Sequence, residues 1–240
     1  MEKFRPRVVE NVLSVHASQI LFEDNHLLVL NKPADWIVQG ASTDQRSLLE
    51  SARLYIKNKY EKPGNVYLGV VSRLDAPVTG AVPFARTSKC ASRLSEQFRS
   101  HTVTKVYWAI VSGAPKAIEG RLEQTLLRRP NDTITRVCPS GNTEGQLAIL
   151  DYRVVSCTKS HSFLSIHLIT GRKHQIRCQL ASIGCPILGD RLYGSQESFA
   201  QGIALHCQHL EFDHPTTKDR MRIAAEPPIY WPANFRTSDR

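Results

Sequence analysis

The stretch Arg73-Leu74-Asp75, with Thr79-Gly80 just after it, constrains this chain more than any other. It sets one acidic residue in a basic neighbourhood. Far along the chain, Gly171-Arg172-Lys173-His174-Gln175-Ile176-Arg177 offers a second basic cluster able to meet it. A carboxylate that stays ionised while nearly buried needs that arrangement, because an opposite charge close by offsets the cost of leaving water. The expected fold therefore brings the two segments together, with Asp75 at the floor of a basic cleft.

A chain of 240 residues suffices for one large domain or two subdomains sharing a core. No apolar run approaches the ~18 residues needed to cross a bilayer. Met1 to Ile20 holds Arg5 and Arg7 but no apolar core and no small-residue cleavage site, so it does not read as a secretory signal. Glu2 and Glu10 weigh against a transit peptide. The expected compartment is the cytoplasm, with an organelle left open. Six scattered cysteines without a C-x-x-C pair fit free thiols in a reducing compartment.

The formal net charge is +9, and residues 71–130 hold ten Lys/Arg against four Asp/Glu. The plain reading is a solvated basic face. The sharper reading is a polyanion-binding surface around Asp75. No basic amphipathic helix of the membrane-surface kind is present, which puts nucleic acid ahead of a membrane.

Ile20-Leu21-Phe22 and Leu27 to Leu30 read as a hairpin turning at Glu23-Asp24-Asn25 and ended by Lys32-Pro33. Ser47 to Glu50 has capping-box form, and Leu49, Ala52 and Ile56 recur at helical spacing, so a helix is expected over 47–60. Ala91, Leu94 and Phe98 mark a second helix capped near Thr87 or Ser88. Val103 to Val111 should be a strand with Val106, Trp108 and Ile110 on one face and Lys105 and Tyr107 on the other, facing a cleft. Residues 112–146 give no clear periodicity. Further strands are expected over 148–155, 163–170, 205–212 and 220–225, with a short helix from Ile176 to Ile183 stopped by Gly184. Strands and helices mix without regular βαβ alternation, which favours α+β.

No phosphate-binding loop, G-x-G-x-x-G, H-E-x-x-H or G-x-S-x-G elbow is present. Chemistry here would run on a lone carboxylate with basic and aromatic helpers. His206, Cys207, His209 and His214 supply only one end of a zinc site. In a regular strand over 205–212, His206 points away from Cys207 and His209, so ordinary strand and turn residues are the expected reading, with no metal.

In order and spacing these residues resemble the RluA-like family of RNA pseudouridine synthases, over nearly everything from Ile20 to Trp231. Leu21 to Pro33 resembles the family's opening hairpin. Ser72-Arg73-Leu74-Asp75-Ala76-Pro77-Val78-Thr79-Gly80 resembles its catalytic H-R-L-D-x-x-T-S-G loop, and Lys105-Val106-Tyr107-Trp108-Ala109 its K-x-Y-x-A strand. Thr170 to Arg177 resembles T-G-R-x-H-Q-I-R. Gly184 to Gly194, Leu205-His206 and Phe212-Asp213-His214-Pro215 follow the later family blocks.

The resemblance implies a pseudouridine synthase fold: a mixed, largely antiparallel central sheet with flanking helices, in a catalytic domain over 20–240 after an N-terminal extension over 1–19. It implies isomerisation of a uridine in RNA. The bond to N1 breaks, the uracil rotates and C5 rejoins the sugar, with no cofactor. The family's essential aspartate maps to Asp75, its active-site tyrosine to Tyr107 and the aspartate's basic partner to Arg177. Asp75 would act as nucleophile or base. Tyr107 would pack on the uracil and assist loss of the C5 proton. Arg73, Lys105, Arg172 and His174 are candidate RNA contacts, with a structural role open for His174. The expected partner is a stem-loop of ribosomal or transfer RNA, met by a monomer. About twenty residues before the hairpin are too few for the extra RNA-binding domain of some relatives.

Departures from the pattern are Ser72 for the usual His, Val78-Thr79 for Thr-Ser, and Cys178-Gln179 for an apolar-His pair. They leave two rivals: an inactive relative that binds RNA in ribosome assembly, and an unrelated basic module using His206 and His209 with a metal.

Overall fold

The computed structural model describes residues 15–40 and 47–233. Most of the expected N-terminal extension lies outside the described residues, and so does most of the segment read for targeting signals.

The opening hairpin forms as read, with β1 (Ile20–Glu23) antiparallel to β2 (Leu27–Lys32). Asp24 closes its turn by accepting from the backbone N–H groups of His26 and Leu27 at 2.7 and 2.6 Å. Ser47 caps α1 (Leu48–Lys59), whose Leu48, Leu49, Ala52 and Ile56 are buried. Thr87 caps α2 (Ser88–Arg99) by accepting from the Cys90 N–H at 3.2 Å. Each cap satisfies one of the helix's orphan donors.

The remaining strands are β3 (Gly69–Val70), β4 (Thr79–Ala85), β5 (Thr104–Ser112), β6 (Glu119–Leu127), β7 (Arg136–Cys138), β8 (Gln146–Cys157), β9 (His161–Leu168), β10 (Leu205–Asp213) and β11 (Arg220–Ala224). Helix α3 (Gln175–Ser182) and a 3-10 turn at Arg191–Tyr193 lie between β9 and β10. The sequence left 112–146 unplaced because β6 and β7 are strands of weak pattern. Exposed Glu119, Arg121 and Glu123 alternate with residues that are mostly half-buried, so little apolar periodicity is visible.

The described residues form one eleven-stranded sheet in the order β1-β2-β4-β10-β5-β9-β8-β6-β7, with β11 on β10 and β3 on β4. Every pairing is antiparallel except β4 with β10. This is the mixed, largely antiparallel α+β sheet expected. Helix α2 packs on β3 and β4, and α3 on β6 and β7.

The strand-face expectation for 205–212 needs correction. Cys207 pairs with Tyr107 but His209 pairs with Val106, so β10 carries a bulge at Gln208. The extra residue reverses the alternation. His206, opposite Trp108, and His209, opposite Val106, therefore share a face, and Cys207 lies on the other.

Candidate active site

Asp75 sits in the loop between β3 and β4, which is pinned from three sides. The Asp75 carbonyl accepts from the Val78 N–H at 3.1 Å, closing a turn. The next carbonyl, Ala76, accepts from the Asp35 N–H and from Lys32 Nζ, both at 2.8 Å. Pro77's carbonyl accepts from the Ile203 N–H at 3.1 Å. Two glycines permit the approach. A Cβ on Gly202 would lie 2.3 Å from the Pro77 oxygen, and one on Gly80 would lie 2.3 Å from the Cys207 oxygen. Both glycines also have positive φ.

Lys32 is fully buried, and its ammonium donates to the carbonyls of Ala76, Pro33 and Trp36 at 2.8, 2.9 and 2.8 Å. Three donors meet three acceptors. Burial pushes its pKa down to about 7, against the pull of Asp35 and Asp75.

Arg177 reaches Asp75 from the first turn of α3. Its Nη1 lies 3.0 Å from Asp75 Oδ2. The rest of the guanidinium binds Asp190 in a two-bonded fork, Nε to Oδ2 at 2.7 Å and Nη2 to Oδ1 at 2.9 Å. The side chains of Arg177 and Asp190 are 6% and 1% exposed and that of Asp75 is 24%, so the cation is anchored inside and its free edge meets the one carboxylate open to a substrate. Burial opposes the charge on Arg177, but the hydrogen bonds and charges of Asp190 and Asp75 outweigh it and its pKa moves up.

His174, a candidate RNA contact with a structural role also open, is half-buried between two other residues. It precedes α3 in a left-handed conformation, φ 56°. Its Nε2 is 3.6 Å from Asp75 Oδ2 and its Nδ1 is 2.9 Å from the Tyr193 hydroxyl. Burial lowers its pKa; Asp75 pulls upward, while Arg177, Lys173 and Arg128 push further down.

Tyr107 and Cys207 face each other across β5 and β10. Tyr107 is buried; burial, a hydrogen bond with the Cys207 thiol and the charge of Asp75 hold its phenol well above the usual range. Lys105, expected among the RNA contacts, is 6% exposed, with Nζ 3.3 Å from the Ile169 carbonyl. That burial removes it from the surface basic set, and desolvation lowers its pKa. The alternation that put Lys105 beside Tyr107 is right, but both side chains are buried in the free protein rather than standing open on a cleft.

Arg73 and Arg172 are exposed. Arg172 Nε donates to the Leu147 carbonyl at 3.1 Å, and its side chain joins Arg128, Lys173, Thr135, Glu144 and Gln146 around a cavity of about 150 Å³. Arg129 lies beside Glu144 at 4.0 Å. The His206 ring is committed on both sides: Nε2 lies 2.9 Å from the Ala225 carbonyl, which only accepts, so Nδ1 is left to accept from Thr79 Oγ1 at 2.7 Å. His214 accepts from the Thr217 N–H through Nδ1 and donates from Nε2 to Asp24. These rings serve the fold, and the hydroxyl retained at Thr79 serves it with them.

A carboxylate at the mouth of a basic site, held by a doubly anchored arginine, is the arrangement that the resemblance implied. A profile of the RNA pseudouridylate synthase family matches residues 26–182. The chain belongs to that family. Ribosomal large subunit pseudouridine synthase D of Zymomonas mobilis is 32% identical over 234 residues, covering 93% of this chain and 73% of that protein. Its namesake in Pseudomonas aeruginosa is 31% identical over 239 residues, covering 92% and 72%. Among solved structures, human RNA pseudouridylate synthase domain containing 4 superposes with a TM-score of 0.74 at 25% identity, covering 88% of this chain and 89% of that one. This chain is an RNA pseudouridine synthase, and the reading as an inactive RNA-binding relative falls behind.

Sequence reasoning missed three residues that hold the surroundings of Asp75 and Arg177. Lys32 was read only as the end of a hairpin. Asp190 and Tyr193 were quoted only as part of a family block. The usable signal for Asp190 was a lone acid in an otherwise apolar and basic stretch, Ile187 to Arg191.

Proposed function

We propose that this pseudouridine synthase isomerises a uridine of ribosomal RNA, with Asp75 beginning the cleavage of the N1 glycosidic bond as nucleophile or base. The observation that carries the reading is the 3.0 Å contact between Asp75 and Arg177, with Arg177 anchored behind by Asp190. A base within a helical stem cannot turn over in place, so the uridine would flip out to reach Asp75. The Tyr107 ring would then meet the uracil. Its phenol is kept protonated, so in the free enzyme it is poised to donate a hydrogen bond rather than to take the C5 proton. The exposed Arg73, Arg172, Lys173 and Arg128 would hold phosphates on either side.

Ribosomal RNA is favoured because two relatives of high coverage carry large-subunit names. A single copy meeting a single stem-loop is the form of the complex we propose. The deciding experiment maps pseudouridines across cellular RNA in cells with the gene, without it, and with Asp75→Asn in its place. A ribosomal RNA site lost in both altered strains supports the reading. A site that persists with Asp75→Asn removes Asp75 from the mechanism, and a lost site in transfer RNA moves the substrate.

A further inference from the structure

The Tyr193 hydroxyl is a junction between the hairpin loop after β6 and the carboxylate of Asp75. Its oxygen accepts from the Thr135 backbone N–H at 2.8 Å. That N–H can only donate, which leaves the phenol's own hydrogen for the Thr135 hydroxyl, also in hydrogen-bond contact, or for His174. The next partner is His174 Nδ1 at 2.9 Å. The ring of Tyr193 is also fixed, with the Arg177 guanidinium carbon 5.0 Å from its centroid and the His174 ring edge-on at 5.7 Å. Thr135 is held in turn, since its hydroxyl donates to the Lys173 carbonyl at 2.9 Å.

We propose that Tyr193 is a positioning residue that fixes the tautomer of His174 and, through it, the proton facing Asp75. A hydrogen donated by Tyr193 requires a lone pair on Nδ1, and a neutral imidazole then carries its hydrogen on Nε2. That nitrogen lies 3.6 Å from Asp75 Oδ2, the same oxygen that Arg177 binds. The other tautomer would put a lone pair against the carboxylate. The separation is long for a hydrogen bond in the free enzyme, and shortening it as a substrate closes the site would add a second donor to Asp75. Burial lowers the pKa of His174, which favours the neutral ring, the state in which a tautomer can be chosen.

The inference rests on the reading of Asp75 given above, and its test separates the two. In protein labelled with ¹⁵N, long-range proton–nitrogen spectra of the imidazoles at pH 8 report each tautomer, with His174 assigned by its absence in His174→Gln. The wild type should show His174 as one neutral tautomer protonated on Nε2. Tyr193→Phe should show a mixture. Wild-type His174 protonated on Nδ1 overturns the proposal, whether or not Tyr193→Phe folds, and so does an unchanged tautomer in the variant. On an RNA stem-loop, Tyr193→Phe should lower kcat about tenfold, the scale of one missing hydrogen bond, with KM changed less. A rise in KM exceeding the fall in kcat would place the effect in RNA docking through Thr135 and overturn it. The double variant should be no slower than His174→Gln alone, whereas losses that multiply would show that Tyr193 does not act through His174. The spectra do not depend on catalysis, so an active Asp75→Asn would sink the reading of Asp75 and leave the tautomer result standing.

Discussion

Arg177 is clamped by Asp190 through two hydrogen bonds, of 2.7 and 2.9 Å, on the side away from Asp75. The fork uses Nε and Nη2 and leaves Nη1 to Asp75. A lysine offers one compact charge and cannot span both carboxylates. Arg177→Lys should therefore lose 100-fold or more in kcat. Asp190→Asn should destabilise the fold by about 3 kcal/mol, because the buried guanidinium loses its counter-charge. Single-turnover rates and urea unfolding of both variants check this. An Asp190→Asn protein with wild-type stability and rate would remove the clamp from the account.

Asp75→Asn keeps the shape of the side chain and loses the charge. No product should form on the native RNA, while the fold and RNA affinity stay close to wild type. Binding and turnover measured on the same stem-loop separate these effects. Turnover at the wild-type rate is the result incompatible with the proposal.

His206 links stability to acid. Its burial lowers its pKa from the usual 6.5 to about 4. Between those values the unfolded chain binds a proton that the folded chain refuses. The stabilising contribution is thus complete above pH 6.5 and drains away as pH falls toward 4, by about 3 kcal/mol in all. Glutamine could donate to Ala225 and accept from Thr79 without titrating. Urea unfolding from pH 7 to pH 4 should show a shallower loss for His206→Gln than for wild type, and parallel curves would contradict the assignment.

Gly80→Ala tests the seam between β4 and β10. The added methyl would meet the Cys207 backbone at 2.3 Å, at a φ of 116°. Neither strand can yield without breaking the pairing of Cys207 with Gly80. A loss of about 3 kcal/mol or more is expected, and activity should fall with it. Thermal melting gives the answer, and a shift under about 2 °C would mean the seam is softer than its geometry.

Salt should weaken RNA binding, since Lys and Arg displace counterions from phosphates. Arg128 and Arg172 share a cavity wall with Lys173. Arg128→Ala with Arg172→Ala should flatten the slope of log affinity against log salt by about 2, one for each phosphate left without its cation. Arg129→Ala, whose side chain lies beside Glu144, should change the slope less. Equal slopes for wild type and the double variant would place the RNA elsewhere.

Much of the fold was legible because local chemistry marked it. Ser47 and Thr87 announced two helices, Asp24 a turn, and the alternation of Val106, Trp108 and Ile110 the strand β5. The meeting of Asp75 with the 171–177 cluster was legible because an isolated acid needs a cation, and the family resemblance singled out Arg177 within it. Three things were hidden. The bulge at Gln208 leaves no mark in composition, and it reverses which residues share a face with His206. Lys105 looked surface-bound because lysine usually is, and only tertiary packing buries it. Asp190 and Tyr193 act across the fold through partners distant in sequence, and spacing alone could not assign them.

The strand that joins the two halves of the sheet follows every other described strand but β11. β10 lies between β4 and β5, beyond the 26–182 segment that carries the family signature. Until it threads into place, β4 and β5 present bare edges, and the turn holding Asp75 lacks its Ile203 anchor. Such a long-range closure is slow compared with forming hairpins. The Asp75 turn is therefore completed from outside its own half of the sheet, and its geometry depends on β10 seating between β4 and β5.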